Sequence, residues 1–134
     1  MAIPVFENGT PEAELEKDIT DAVILRFVRD NHLKIVDEKS AHSVLRGKVT
    51  TYKNSVFGFT NSTSENEYRV TIGVEVTFKD LVKNRELWAD AIVKSANYYV
   101  QAVPGQQPKD EVDGRREAIE KIADEVLSRS VEGW

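Results

Sequence analysis

The chain contains no cysteine. Disulfides, thiol nucleophiles and cysteine-ligated metal sites are therefore excluded within these residues. Histidine is nearly absent as well. His32 and His42 are the only two, and neither belongs to an HxxxH or HExxH pattern. His32 stands where a helix is expected to end, a place where the dipole favours an imidazolium, and His42 stands beside a turn. No GxSxG elbow, phosphate-binding loop or GxGxxG fingerprint occurs. The sequence thus predicts no catalytic site, no cofactor and no metal, and so a protein that is not an enzyme. No apolar run approaches the roughly 18 residues that a membrane-spanning helix needs, and no signal peptide is present. Positive charge is also in short supply. A formal net charge of -5 argues against a nucleic-acid partner, because phosphate backbones are bound by clustered Lys and Arg. A local basic patch can still receive an anionic ligand.

What is present suits a globular domain. The 134 residues are 40% hydrophobic and 31% charged, enough for one core and too apolar for general disorder. We read residues 1–134 as one domain, with no internal repeat, low-complexity segment or linker. Ile3-Pro4-Val5-Phe6 has strand character, Asn8-Gly9 supplies a turn, and Thr10-Pro11 supplies an N-cap and a first helical residue. A helix is expected over 11–31, with Leu15, Ile19, Ala22, Val23 and Phe27 on one face. Leu33-Lys34-Ile35-Val36 reads as a short strand, and Ser43 to Lys53 as a longer one. In the latter Leu45, Gly47, Val49 and Thr51 alternate against Arg46, Lys48, Thr50 and Tyr52.

Residues 54–67 read as a long polar loop. Tyr68 to Lys79 is the strongest strand: Tyr68, Val70, Ile72, Val74, Val76 and Phe78 alternate without a break against polar residues, as in a sheet with one buried face. A hairpin with Lys83-Asn84 at its tip leads into a last strand, 87–100. There two apolar sets compete for the inside. Placing Leu87, Ala89, Ala91 and Val93 inward leaves Trp88, Ile92 and Tyr98 on the outer sheet face, and this is the arrangement we expect. After a loop over 101–109, a second helix is expected over about 110–131, with the stripe Ile119, Ile122, Ala123, Val126 and Leu127. Gly114 weakens its first turns. The predicted order is β-α-β-β-β-β-α. That gives an α+β two-layer sandwich, two helices on one face of a mainly antiparallel sheet of four to five strands. A parallel unit through the first helix is compatible with it.

Most carboxylates belong to solvated helix faces with i,i+4 partners, such as Glu117–Lys121 and Glu125–Arg129. Two sequons, Asn8-Gly9-Thr10 and Asn61-Ser62-Thr63, fall in turns, where turn chemistry accounts for them. The remaining signal is surface. Arg46, Lys48, Arg69, Lys79 and Lys94 are expected opposite the helices, beside Tyr52, Trp88 and Tyr98. Such a basic, aromatic sheet face suits an anionic amphiphile or a protein wall, and equally an ordinary wet sheet face. Phe57 and Phe59, in an otherwise polar loop, are expected to tuck onto the sheet or dock on a partner.

In order along the chain, these segments resemble the lipopolysaccharide-assembly lipoprotein family, LptE. The residues that carry the resemblance are Ile3-Pro4-Val5-Phe6-Glu7-Asn8 before a helix, then Leu33-Lys34-Ile35-Val36-Asp37. Ala41-His42-Ser43-Val44-Leu45-Arg46-Gly47-Lys48-Val49 follows, similar to the family's alanine-aspartate-x-valine-leucine-x-glycine-x-valine strand, with His42 where an acidic residue is common. Glu67-Tyr68-Arg69-Val70 opens the long strand, and Asp80 to Leu87-Trp88 closes the hairpin. The resemblance implies a periplasm-facing lipoprotein of the outer membrane. Such a protein plugs the LptD β-barrel, helps it assemble and assists lipopolysaccharide transport to the cell surface. It implies a signal peptide and a lipidated cysteine upstream of the first strand. Met1-Ala2, directly before a buried-looking strand, fits a chain trimmed after such an anchor. By the same resemblance Lys109, in Pro108-Lys109-Asp110, is expected to bind lipopolysaccharide. Arg69 and Lys53, at the two ends of loop 54–67, are expected to join it, while Phe57, Phe59, Tyr52 and Trp88 are expected to touch the barrel. The strand-turn-helix opening also occurs in curli-secretion and penicillin-binding-protein-activator lipoproteins, which would make the chain an envelope interaction module without a lipopolysaccharide role.

Overall fold

The structure, a computed structural model, describes residues 1–30, 34–59, 66–99 and 110–132, without the side chains of 57–59, 66 and 132. The element order is β1 (Glu7–Asn8), α1 (Leu15–Asp30), a 3-10 turn (Glu38–Ser40), β2 (Ser43–Phe59), β3 (Asn66–Asp80), β4 (Arg85–Tyr99) and α2 (Glu111–Glu132). The four strands lie in the order β1-β2-β3-β4. β1 runs parallel to β2, and β2, β3 and β4 are antiparallel to their neighbours. Both helices cover one face, which makes the expected α+β sandwich with four strands.

The core lies where the alternation of β3 put it. Val70, Ile72, Val74, Val76 and Phe78 are buried beneath Leu15, Ile19, Val23 and Phe27 of α1 and Ile119, Ile122 and Val126 of α2. Gly114 has a packing reason. A Cβ there would come within 2.8 Å of the Tyr98 ring and 3.2 Å of Val70, so the first turns of α2 approach the sheet closely. The start of α2 is secured by Asp110 and Asp113. The Asp113 N–H donates to Asp110 Oδ1 at 3.0 Å and the Asp110 N–H to Asp113 Oδ2 at 3.1 Å, a reciprocal capping box.

Several local expectations are corrected. Helix α1 begins at Leu15, not at Pro11. Asn8 explains the delay. Its Oδ1 accepts from the Thr10 N–H at 2.9 Å, and its Nδ2 donates to the Glu12 carbonyl at 2.7 Å and to Glu16 Oε2 at 2.8 Å. This Asx-type turn holds residues 8–14 in a non-helical loop, and Glu14 takes a positive φ of 64° before the helix starts. Residues 34–36 form no strand. They are held instead to the chain start, with the Val36 N–H donating to the Met1 carbonyl at 2.8 Å and the Met1 amino group to the Lys34 carbonyl at 2.7 Å. Leu33 and His32 lie outside the described residues.

The largest correction concerns loop 54–67. β2 runs on to Phe59 and β3 starts at Asn66, with Val56 opposite Tyr68 and Phe59 opposite Asn66. The alternation also breaks. A register shift between Val49 and Thr51 inserts a bulge at Thr50, and a bulge moves every later side chain to the other face. Leu45, Gly47 and Val49 point under the helices before it, opposite Phe78, Val76 and Val74; Tyr52 and Asn54 do so after it, opposite Ile72 and Val70. In β4 the other apolar set is inside, with only Leu87, at a register shift, packing against the core as expected. Ile92, Ala96 and Tyr98 are buried and Trp88 packs against the core, while Ala89, Ala91 and Val93 are exposed. Three large apolar side chains bury more area than the small set, and area decides.

β4 is an edge strand, and α2 guards it. Lys121 Nζ donates to the Ser95 carbonyl at 2.9 Å, and Asp90 Oδ1 accepts from the Ala91 N–H at 2.8 Å. Arg129 pairs with Asp90 and with Glu125 (2.9 Å), and Lys94 with Glu125 (3.1 Å). Covering an edge with charge in this way discourages pairing with another strand. The Arg129 bond first, and the Lys94 bond second, hold the Glu125 carboxyl below its ordinary value of 4.5; Arg129 also holds Asp90 below 3.8. Depressed folded values mean that this stabilisation is full above the ordinary carboxylate range and is lost as pH falls through the lowered values. A melting-temperature profile should therefore fall less steeply below pH 4.5 for Arg129→Met than for the wild type. Superimposable acid limbs would show the network to be energetically silent.

Candidate functional site

The face of the sheet opposite the helices is left uncovered by the described residues. Cross-strand register defines it row by row: Arg46, Thr77 and Ala89; Lys48, Glu75 and Ala91; Thr51, Gly73 and Val93; Lys53, Thr71 and Ser95; Ser55, Arg69 and Asn97. Its β2 side is basic and its β4 side is small and apolar. At the centre, Gly73 lets Thr50 and Thr51 lie close over the backbone, and the Thr50 hydroxyl donates to the Gly73 carbonyl at 3.2 Å. Arg46 is ion-paired to Glu38, whereas Lys48 and Lys53 make no ion pair among the described residues. The face is low in bulk.

The expected site residues separate into three groups. Lys53 and Arg69 do come together. Arg69 lies opposite Ser55, two residues along β2 from Lys53, on the same face and at the same end. Arg69 is already engaged there: its Nε donates to Asn97 Oδ1 at 2.9 Å, and Asn97 Nδ2 donates to Glu67 Oε2 at 2.6 Å. Lys53 is exposed and is the more available cation. Lys109 lies outside the described residues. So do the side chains of Phe57 and Phe59, although their backbone belongs to β2 rather than to a loop.

Tyr52 and Trp88 are the third group, and both are placed on the helix side, not on the outer face. The Tyr52 hydroxyl donates to Glu111 Oε2 at 2.6 Å, and the Arg115 guanidinium stands 5.8 Å from the ring centre. Burial, then the Glu111 bond, push the Tyr52 phenol well above its usual range, so it remains a protonated donor. Trp88 Nε1 donates to Ser130 Oγ at 3.2 Å. Lys94 and Tyr98, also expected outside, are on the helix side too. Tyr98 stacks on Tyr68 with ring centres 5.5 Å apart and donates to Asn54 Oδ1 at 2.8 Å. These tyrosines fasten the end of the sheet to the start of α2. Arg46, Lys48 and Lys79 do lie opposite the helices. The exposed Ala89, Ala91 and Val93 were missed; the signal that could have found them is the matched pair of small residues, Gly73 in β3 and alanines in β4, on one face.

Among the described residues, no group of three or more His, Asp or Glu could hold a metal ion, and no helix is long and apolar enough to cross a membrane.

Comparison with known proteins agrees on the fold. A hypothetical protein of Chlamydia trachomatis has a similar structure at 13% identity, with 99% of this chain and 95% of that one covered and a TM-score of 0.68. A minor lipoprotein of Acinetobacter baumannii is similar at 13% identity over 98% and 92%, with a TM-score of 0.61. Rare lipoprotein B of Shewanella oneidensis is similar at 19% identity over 98% and 95%, with a TM-score of 0.53. No curated protein matches the sequence. The model of one family, LptE, described as lipopolysaccharide-assembly, matches residues 1–130. A match over nearly the whole length, on a fold of the expected order, is decisive: the chain belongs to the LptE lipopolysaccharide-assembly family.

Proposed function

We propose that the chain is the periplasm-facing part of an outer-membrane lipoprotein that plugs the LptD β-barrel, helps it assemble and assists transport of lipopolysaccharide to the cell surface. Beside family membership, the observation that supports this reading is the open sheet face. A plug inside a barrel meets a polar inner wall, and a face with Lys48, Lys53, Thr51, Thr71 and Ser95 beside small Ala89, Ala91 and Val93 offers such a wall donors to pair with and little bulk to hold it off. Two-layer sandwiches that leave such a face uncovered need a partner only if something seats on it, so the face is where the reading is tested.

Copurification with the barrel is the measurement. Ala91→Arg/Val93→Arg adds two bulky cations to exposed positions and should leave the melting temperature unchanged. It should weaken barrel capture about tenfold, equivalent to about 1.4 kcal/mol. Undiminished capture by this variant would remove the face from the contact, and no capture by the wild type would sink the plug reading itself. We propose Lys109, Arg69 and Lys53 as the residues that receive lipopolysaccharide, as charge-assisted donors to lipid phosphates. Lys53→Glu/Lys109→Glu should bind it less well, most visibly at low salt.

A further inference from the structure

At the opposite end of the sheet lies a second basic surface, far from the loop end. The β3–β4 hairpin closes there through residues 81–84. Asp80 Oδ1 accepts from the Val82 N–H at 2.9 Å and the Lys83 N–H at 3.1 Å, and Asn84 takes the positive φ of 52° that lets the chain turn back. This rigid turn holds apolar side chains out in water: Val82 is 71% exposed and Leu81 37%. Behind the tip is a cavity of about 340 Å³ whose floor is Phe78, Leu87 and Trp88 and whose rim carries Lys83, Arg85 and Arg129. Lys83 and Arg85 make no side-chain hydrogen bond or ion pair among the described residues. The acid on the rim, Asp80, accepts from the two turn amides, and the Lys83 amide first, then the Val82 amide and the nearby Lys83 and Arg85 charges, hold its carboxyl below the ordinary range.

The chain start is at this same end. Ala2 bridges Val44, Ser43 pairs with Asp80, and the Leu81 N–H donates to the His42 carbonyl at 2.8 Å. Residues 1–3 and the hairpin thus flank the beginning of β2. An exposed apolar tip with two exposed cations just behind it is the chemistry of a membrane interface: aliphatic groups enter the headgroup boundary while Lys and Arg meet anionic headgroups.

We propose that the 81–85 hairpin and the cavity behind it form a second membrane contact, one that seats on an anionic bilayer surface with Val82 at the headgroup boundary and Lys83 and Arg85 on lipid phosphates. The inference rests on reading the chain as an envelope lipoprotein, since a lipid carried at its N-terminal end would hold this end, and not the loop end, against the leaflet. Two weak attachments close together act as one strong one. The hairpin would then fix which way up the fold stands on the membrane.

Partition of the whole chain into vesicles tests it, with Trp134→Phe leaving Trp88 as the reporter tryptophan. Vesicles of phosphatidylglycerol with phosphatidylethanolamine should bind the protein at low salt and shift Trp88 emission to the blue. Vesicles of phosphatidylcholine alone should bind it far less. Lys83→Gln/Arg85→Gln should lower the partition coefficient roughly tenfold or more, and Val82→Asp should abolish the blue shift. Equal partition of wild type and the double variant, or equal partition into the zwitterionic vesicles, would overturn the proposal. So would a Trp88 response to inorganic phosphate that matches the response to vesicles, which would make the cavity a site for a free anion. Barrel capture is measured on the same variants. It should be unchanged, so a failure of the plug reading and a failure of the hairpin contact give different patterns.

Discussion

Phe6→Ala is expected to destabilise the fold by about 3–5 kcal/mol, the usual cost of removing a buried aromatic ring. Phe6 is only 2% exposed, and its ring occupies the place where β2 lacks a side chain. A Cβ built on Gly47 would come within 2.3 Å of the ring, closer than any real contact. Ring and glycine therefore form one packing unit between the N-terminal segment and the sheet. Two consequences can be measured by denaturant titration. Gly47→Val should itself cost about 1–3 kcal/mol as overpacking, because the ring cannot retreat. Its backbone is tied down, with the Phe6 N–H donating to the buried Thr20 hydroxyl at 2.9 Å and that hydroxyl donating to the Glu16 carbonyl at 2.6 Å. In the double variant the valine enters the space the ring has left, so the two costs should fail to add by about 1 kcal/mol or more. Additive costs would show that Phe6 and Gly47 do not share a site.

What could be read from the sequence depended on how many residues carried each signal. β3 has six alternating apolar residues from Tyr68 to Phe78, and its inner face is where that alternation put it. The stripe on α2 was equally plain. A bulge has no comparable signature. Thr50-Thr51 looks like two more residues of an alternating strand, yet one extra residue there turns Tyr52 from an outer-face candidate into a half-buried donor to Glu111 on the helix side. In β4 both faces carry apolar residues, so alternation alone cannot choose. The choice is made by α2, which buries Tyr98 beneath Gly114 and bonds Trp88 to Ser130, contacts between residues 16 and 42 positions apart. The largely polar composition of 54–67 suggested a loop because a strand pair that projects past the core needs no continuous apolar face. At the other end of the chain, a side chain overrode good capping chemistry: the Thr10 hydroxyl does accept from the Glu12 N–H, but Asn8, bonded to the Thr10 N–H and the Glu12 carbonyl, holds the segment in a loop and the helix waits until Leu15. For the candidate site, the basic β2 side was legible and the small β4 side was not, since alanines on an open face and alanines under a helix look alike in sequence.

Ile72→Ala should cost about 2–4 kcal/mol, and its effect should differ in kind from that of Phe6→Ala. Ile72 is fully buried at the middle of β3, the strand that pairs along nearly its whole length with both β2 and β4, where its register partners are Tyr52 and Lys94. A cavity there loosens both ladders and the helix layer above them, so the loss should appear as one cooperative shift of the unfolding midpoint with the denaturant slope retained. Phe6, by contrast, belongs to a segment joined to the sheet by the short parallel pairing of β1 and the bridge at Ala2. Its loss should open that segment before the rest unfolds. Amide hydrogen exchange separates the two. Phe6→Ala should raise exchange at Gly9 and Leu45, whose N–H groups bond to Val49 and Ala2 across that seam, with the β3 amides still protected. Ile72→Ala should raise exchange throughout β2, β3 and β4 by a common factor. If Ile72→Ala shifted the midpoint by the equivalent of less than about 1 kcal/mol, below any full-packing loss, the side chain could not be at the centre of the core. The two-layer arrangement, and with it the assignment of the opposite face as the open one, would then be wrong.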